Sequence, residues 1–212
     1  MARRGRPARC GACGMSGRRT ETLPERYFSE IYASDPDPWG FTSSAYEAEK
    51  YAATLQALPR VRYDLALEVG CSIGVFTRAL APRCEALTAL DVAQAALDAA
   101  QARCAEYPQV GFVRGAVPEV WPEGRFDLIV FGEMLYFLSM EDLARLVARV
   151  EASLAPGGDC VLVHWLGETD YPLSGDAAAE GFIAGAAPFC RVLSGMRTDA
   201  YRLDVLRRSD GP

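Results

Sequence analysis

The residues best placed to do chemistry lie in Leu67-Glu-Val-Gly-Cys-Ser-Ile-Gly-Val-Phe76, an apolar run that turns on two glycines and enters a helical pattern. Gly70 and Gly74 let a backbone turn sharply and approach a ligand with no Cβ in the way. Asp91 closes the next apolar run, 21 residues after Gly70, at the spacing of a carboxylate that hydrogen-bonds ribose hydroxyls. Turn and acid together imply a cofactor that contains a nucleoside, with Val92 beside the acid. A dinucleotide turn reads Gly-x-Gly-x-x-Gly and sets a helix N-terminus on a pyrophosphate. Here the pattern is Gly-x-Ser-x-Gly, and Glu68 stands two residues before it. A carboxylate at that tip repels a pyrophosphate and suits a cationic amino-acid end. S-adenosylmethionine carries an ammonium, a sulfonium and a ribose and no phosphate, so Glu68 with Asp91 favours it over NAD.

Two further residues could act on a substrate. Glu133 follows an apolar strand within Phe131–Leu138, where an unpaired acid is costly to bury, which favours a pocket role. His164, the sole histidine, ends another strand beside a loop with Glu168, Asp170 and Tyr171. It reads equally as a hydrogen-bonded core residue and as a general base. Asp91 has a plainer reading too, as the cap of the helix that follows it. Trp39 and Tyr46 are either core aromatics or a cover over the cofactor. Cys71 lies in the turn and lines the cofactor site, its thiol as packing rather than nucleophile, since no base is evident nearby.

The elements that must position these residues can be read from periodicity and turn chemistry. Pro24 to Ser34 shows an apolar stripe at Tyr27, Phe28, Ile31 and Tyr32, a short helix. Asp35-Pro-Asp-Pro-Trp-Gly40 is a loop, because each proline drives its predecessor out of the helical region. Ser44-Ala-Tyr-Glu47 is a capping box opening a helix that ends before Pro59. Strands are predicted over Leu65–Val69, 86–91, 110–114, Asp127–Phe131 and Cys160–Trp165, and helices over 74–81, 93–106 and Glu141–Leu154, the last stopped by Pro156-Gly-Gly. This alternation predicts an α/β, Rossmann-like, seven-stranded, mostly parallel sheet with helices on both faces. Runs at 188–196 and 200–207 have no helix between them and make a C-terminal antiparallel hairpin.

The chain of 212 residues divides into a disordered basic tail over 1–22, an N-terminal helical cap over 23–60 and the α/β domain over 61–212. Six arginines and no acid lie in the first nineteen residues, so residues 20–212 carry 16 basic and 28 acidic groups, a net −12. An acidic body is a poor general binder of nucleic acid or anionic membrane, so neutral or cationic small molecules are the expected partners. No apolar run reaches the roughly 18 residues of a membrane helix. Seven irregularly spaced cysteines do not form a secreted disulfide framework, and the cytoplasm is the expected location. Cys10-x-x-Cys13 is half a zinc site without its second half, so no metal is expected. Met15 offers an alternative start of translation.

On these motifs the sequence resembles the class I S-adenosylmethionine-dependent methyltransferases. Glu68-Val-Gly-Cys-Ser-Ile-Gly74 matches their loop with Ser72 for the middle glycine, Asp91 their second acid, Phe126-Asp-Leu-Ile-Val their fourth strand and Leu154-Ala-Pro-Gly-Gly the turn before their fifth. Within the group it is most similar to the nodulation protein S (NodS) type. That likeness rests on Asp35-Pro-Asp-Pro-Trp-Gly, Tyr46-Glu-Ala-Glu-Lys-Tyr and His164-Trp-Leu-Gly-Glu-Thr-Asp-Tyr-Pro-Leu-Ser-Gly-Asp176. The resemblance implies N-methylation of an amine acceptor, an amino sugar on a chitooligosaccharide. It departs at Ala116, where many class I enzymes have an acid for the adenine amine. Two other readings stay open: a Rossmann-like domain that binds the cofactor without catalysis, and a serine hydrolase using Gly70-x-Ser-x-Gly74 with His164.

Overall fold

The computed structural model describes residues 17–210. Residues 1–16, with the Cys10/Cys13 pair and Met15, lie outside the described residues. In chain order the elements are α1 (Glu25–Ser34), α2 (Ala45–Ala57), β1 (Tyr63–Val69), α3 (Val75–Leu80), β2 (Cys84–Asp91), α4 (Gln94–Arg103), β3 (Val110–Arg114), β4 (Phe126–Gly132), α5 (Met140–Ser153), β5 (Leu154–Trp165), α6 (Gly175–Ala186), β6 (Cys190–Arg197) and β7 (Tyr201–Arg208).

The seven strands form one sheet in the order β3-β2-β1-β4-β5-β7-β6. The first five run parallel, β7 is antiparallel to β5, and β6 is antiparallel to β7. This is the mostly parallel sheet with a terminal hairpin that the alternation predicts. From β1 the chain winds outward to β2 and β3, and from β4 the other way to β5. The order therefore reverses between β1 and β4, where open α/β sheets place their ligands. One face packs Leu67, Ile129, Phe131 and Leu162 against α5 and α6. The other packs Ala66, Leu128, Val130 and Val163 with Phe76, Leu80 and the partly buried Tyr51 and Leu55 of α2.

Helix starts follow their caps. The hydroxyls of Ser44, Ser139 and Ser174 accept the amides of Glu47, Asp142 and Ala177. Helix α6 was not expected from periodicity, because its Gly- and Ala-rich sequence has no apolar stripe. Its small residues serve close approach instead. A Cβ on Gly181 would lie 3.0 Å from Leu143 Cδ2, and one on Gly185 3.4 Å from the Val147 methyls, both on α5. Helix α4 ends at Arg103, earlier than its Ala-rich pattern suggested, and Cys104 leads into a turn at Tyr107.

Residues 18–22, expected as the end of a disordered tail, are instead laid along the body. The Arg19 amide donates to Asp170 O at 3.0 Å, Arg18 Nη1 donates to Tyr171 O at 3.0 Å, and the Thr22 hydroxyl accepts the Ser139 amide at 2.9 Å. Backbone and side-chain partners on the 134–142 and 168–171 segments, invisible to composition, account for the difference. Among the described residues no helix is long and apolar enough to cross a membrane. The five described cysteines are free and buried.

Candidate functional site

A narrow cleft opens at the C-terminal edge of the sheet, at the reversal between β1 and β4. Its floor is Glu68, Gly70, Cys71, Ser72 and Gly132, its polar rim is Lys50 and Glu133, and Phe41, Tyr51 and Phe76 form apolar walls. The turn after β1 makes the floor. Gly70 (φ 85°) and Gly74 (φ 77°) adopt left-handed backbone. A Cβ on Gly70 would lie 2.9 Å from Gly132 O, and one on Gly74 2.8 Å from Ala100 Cα. Ser72 stands between them at φ 49°. Its strained backbone is held from two sides: its amide donates to Asp91 Oδ2 at 2.8 Å, and its hydroxyl hydrogen-bonds Tyr32 of α1.

Asp91 is buried at the end of β2. Its Oδ1 accepts the Ala93 amide at 2.9 Å, and the Val92 amide also faces the carboxyl. Asp91 does not cap α4, whose N-cap is Ala93; its carboxyl accepts the amides of Ser72, Val92 and Ala93, which leaves one of its four lone pairs for a ligand. Glu68, one strand over, is 3% exposed, and its Oε2 has no hydrogen-bond partner among the described residues. Burial pushes its carboxyl up to about 7, with the Asp91 charge adding to the rise and the Thr77 hydroxyl opposing it.

The rim is a buried ionic cluster. Lys50 of α2 is 2% exposed, and its ammonium lies 3.1 Å from Glu47 Oε1 and pairs with Glu133 Oε1. Glu133 has left-handed backbone (φ 56°), and its Oε2 accepts the Tyr136 hydroxyl at 2.9 Å and the Trp165 amide at 2.7 Å. Burial alone would raise its carboxyl. The Lys50 charge and hydrogen bond, with the Trp165 amide, outweigh that and hold it below the usual carboxylate range. Two carboxylates, Glu47 and Glu133, enclose the one ammonium, and Glu68 adds a third carboxyl on the floor, so the cavity favours cations. A phosphate would meet only an ammonium already paired with two carboxylates.

Several expected residues stand elsewhere. His164 points to the opposite face of the sheet from the cleft-lining Val163, because successive strand residues alternate. It is fully buried, its Nε2 accepts the Leu135 amide at 3.3 Å, and burial pulls its pKa down to about 4. It supports the 133–135 turn from behind and does not line the cleft, which corrects its expected place as a base. Trp39 packs on Tyr32 and Phe41 (ring centroids 5.5 and 5.6 Å), beside the turn, and it is Phe41 that reaches the cleft. Tyr46 packs on Tyr201 at 6.0 Å with Lys50 Nζ 5.1 Å from its ring, behind the rim. The hydrolase reading fails on geometry: the Ser72 hydroxyl bonds Tyr32, and the only histidine is turned away with its Nε2 engaged. Ala116 is exposed beyond β3, and the neighbouring Arg114 is paired with Glu25 of α1.

Phe41, Tyr51 and Lys50 line the cleft without having been expected there, although Lys50 and Tyr51 stand in the Tyr46–Tyr51 motif. A signal for Lys50 was present: it is the only lysine in an arginine-rich chain, three residues after the acid of a capping box.

The family model of Nodulation protein S (NodS) matches residues 29–166. Nodulation protein S of Rhizobium tropici is 32% identical over 178 residues, covering 82% of this chain and 71% of that protein. The solved structure of the N-methyltransferase NodS from Bradyrhizobium japonicum WM9 superposes with a TM-score of 0.69 at 26% identity, over 77% of this chain and 97% of that one. The same protein in complex with S-adenosyl-L-homocysteine superposes with a TM-score of 0.74 at 24% identity, covering 87% and 97%, and so shares the fold.

Proposed function

The chain belongs to the nodulation protein S family and is an S-adenosylmethionine-dependent methyltransferase, and on that premise we propose that it N-methylates an amino sugar, free or within a chitooligosaccharide. The observation that carries the reading is the pairing of Glu68, buried with an unpartnered oxygen, and Asp91 on adjacent strands below one glycine turn. These residues fit the cofactor: Glu68 would hold its ammonium, Asp91 a ribose hydroxyl through the lone pair its three backbone amides leave, and Gly70 and Gly74 allow the left-handed turn that forms the cleft floor. When bound, the cofactor supplies a methyl carbon on a sulfonium, which departs as a neutral thioether when an amine lone pair attacks that carbon.

The chain's own contribution is charge, alignment and exclusion of water. A primary amine arrives protonated at neutral pH, and its proton passes to solvent water at the cleft mouth before the lone pair attacks. Glu133 is ionised and lies at the rim, so it draws the ammonium to the cleft. With three donors already bound it has little capacity to take the proton as well. His164 acts on the reaction only through the segment it supports. The acidic cavity favours an amine over a phosphorylated acceptor.

Calorimetry with S-adenosylhomocysteine tests the cofactor assignment. Asp91→Ala is expected to weaken binding by about tenfold or more, the worth of hydrogen bonds to a charged group, and normal binding by that variant would refute it. Incubation with methyl-labelled cofactor tests the acceptor. Label should enter glucosamine and partly deacetylated chitotetraose and not their fully N-acetylated forms; equal labelling of both would refute an amine acceptor.

A further inference from the structure

The ion cluster at the rim places Lys50 in a role for which neither its sequence motif nor the cofactor chemistry accounts. An ammonium buried to 2% exposure is costly unless its partners are arranged around it. Here two carboxylates from different elements enclose it: Glu47, one turn earlier on α2, and Glu133, beyond β4. Lys50 is thus the link between the helix that roofs the cleft and the one rim carboxylate that faces an incoming acceptor. We propose that Lys50 is a positioning residue of the acceptor subsite: its ammonium clamps the Glu133 carboxylate in one orientation and keeps it charged, so that Glu133 can receive an amine substrate.

The proposal rests on the reading of the site as an amine N-methyltransferase. Three points of geometry support it. Glu133 has left-handed backbone, which for a residue with a Cβ costs about 1 kcal/mol or more and persists where surrounding bonds fix it. Its two oxygens are divided, Oε1 to Lys50 and Oε2 to the Tyr136 hydroxyl and the Trp165 amide, so removing Lys50 frees one oxygen and leaves a buried charge unbalanced. The remaining titratable groups around the pair are Glu47, Tyr46 and Tyr51 on α2, Glu68 on β1, Tyr136 after β4 and His164 on β5. Among the described residues of this cluster Lys50 is the only cation at neutral pH, because burial keeps His164 neutral.

Lys50 is the sole lysine, so protein labelled with lysine carbon-13 at Cε gives one lysine signal. In the wild type that signal is expected to stay at its charged position through pH 10.5, where a free lysine is half titrated. Glu133→Gln should move it and bring its titration down. An ordinary lysine titration, unmoved by Glu133→Gln, would overturn the clamp even if Lys50 variants fail to fold. Kinetics supply the second arm, with glucosamine as acceptor and cofactor saturating so that Glu68 does not set the pH profile. Lys50→Met should shift the acid limb of kcat/KM upward by about one pH unit or more, because Glu133 then keeps its burial and loses its counter-charge. It should also raise the acceptor KM more than it weakens S-adenosylhomocysteine binding, and Lys50→Arg should restore the profile. A Lys50→Met profile lowered evenly at every pH, with no shift, would overturn the positioning role. Should the wild type methylate no amine, the acceptor reading fails, and the clamp is still decided by the lysine signal.

Discussion

Glu68 carries a proton that an ordinary glutamate would have released. Burial lifts its carboxyl to about 7, so between roughly pH 4.5 and 7 the unliganded protein holds it neutral. An ammonium partner needs the carboxylate. Affinity for S-adenosylhomocysteine is therefore expected to rise from pH 5.5 to about 7 and then level off, approaching a tenfold change per pH unit on the acid side. Calorimetry at pH 5.5, 6.5 and 8 checks this, with Glu68→Gln weaker at pH 8 and nearly independent of pH. A flat wild-type profile would remove Glu68 from the cofactor site. His164 shows the opposite shift. Its folded pKa is lowered to about 4, so the folded state binds fewer protons than the unfolded chain below about pH 6.5. Its contribution to stability is whole above 6.5 and is lost as pH falls toward 4. Urea midpoints of wild type and His164→Asn should accordingly converge from pH 7.5 to pH 5. With its imidazole behind the cleft, the same substitution should leave cofactor affinity close to wild type.

At the scale of elements, the turn between β1 and α3 is set by contacts on every side. Asp91 holds it from β2, Tyr32 from α1, and Ala100 of α4 packs against Gly74. Ser72 can replace a glycine there because its hydroxyl has Tyr32 to bond and its amide has Asp91. Gly74 has no such latitude. An alanine Cβ would lie 2.8 Å from the Cα and Cβ of Ala100, on a backbone at φ 77° that alanine resists. Gly74→Ala should cost about 2–3 kcal/mol by denaturant unfolding and weaken S-adenosylhomocysteine binding in parallel. A neutral effect on both would show that α4 can move away from the turn. Helix α6 makes the complementary point. Its Gly181 and Gly185 meet α5, and that reason is found on another element and not in its own sequence.

Across the whole molecule, the antiparallel extension is tied to the parallel sheet by a buried carboxylate. Asp159 of β5 is fully buried and accepts Arg207 Nε at 2.8 Å from β7 and the Tyr63 hydroxyl at 2.9 Å from β1. Asp159→Ala takes the carboxylate from that arginine and that hydroxyl, and unfolding should show a loss of about 1–3 kcal/mol; a change under 0.5 kcal/mol would mean the hairpin is held by apolar packing alone. The sheet, its mostly parallel sense, the terminal hairpin and the places of Glu68, Gly70, Gly74 and Asp91 were all legible in the sequence. Each is a local matter: short apolar runs, caps, and glycines at turns that need positive φ. The orientation of His164, the pairing of Lys50 with Glu133, the docking of residues 18–22 and the existence of α6 depended on tertiary structure. Those outcomes turn on which side chains meet across elements distant in sequence, such as positions 50 and 133, and no local preference in a single chain encodes that meeting.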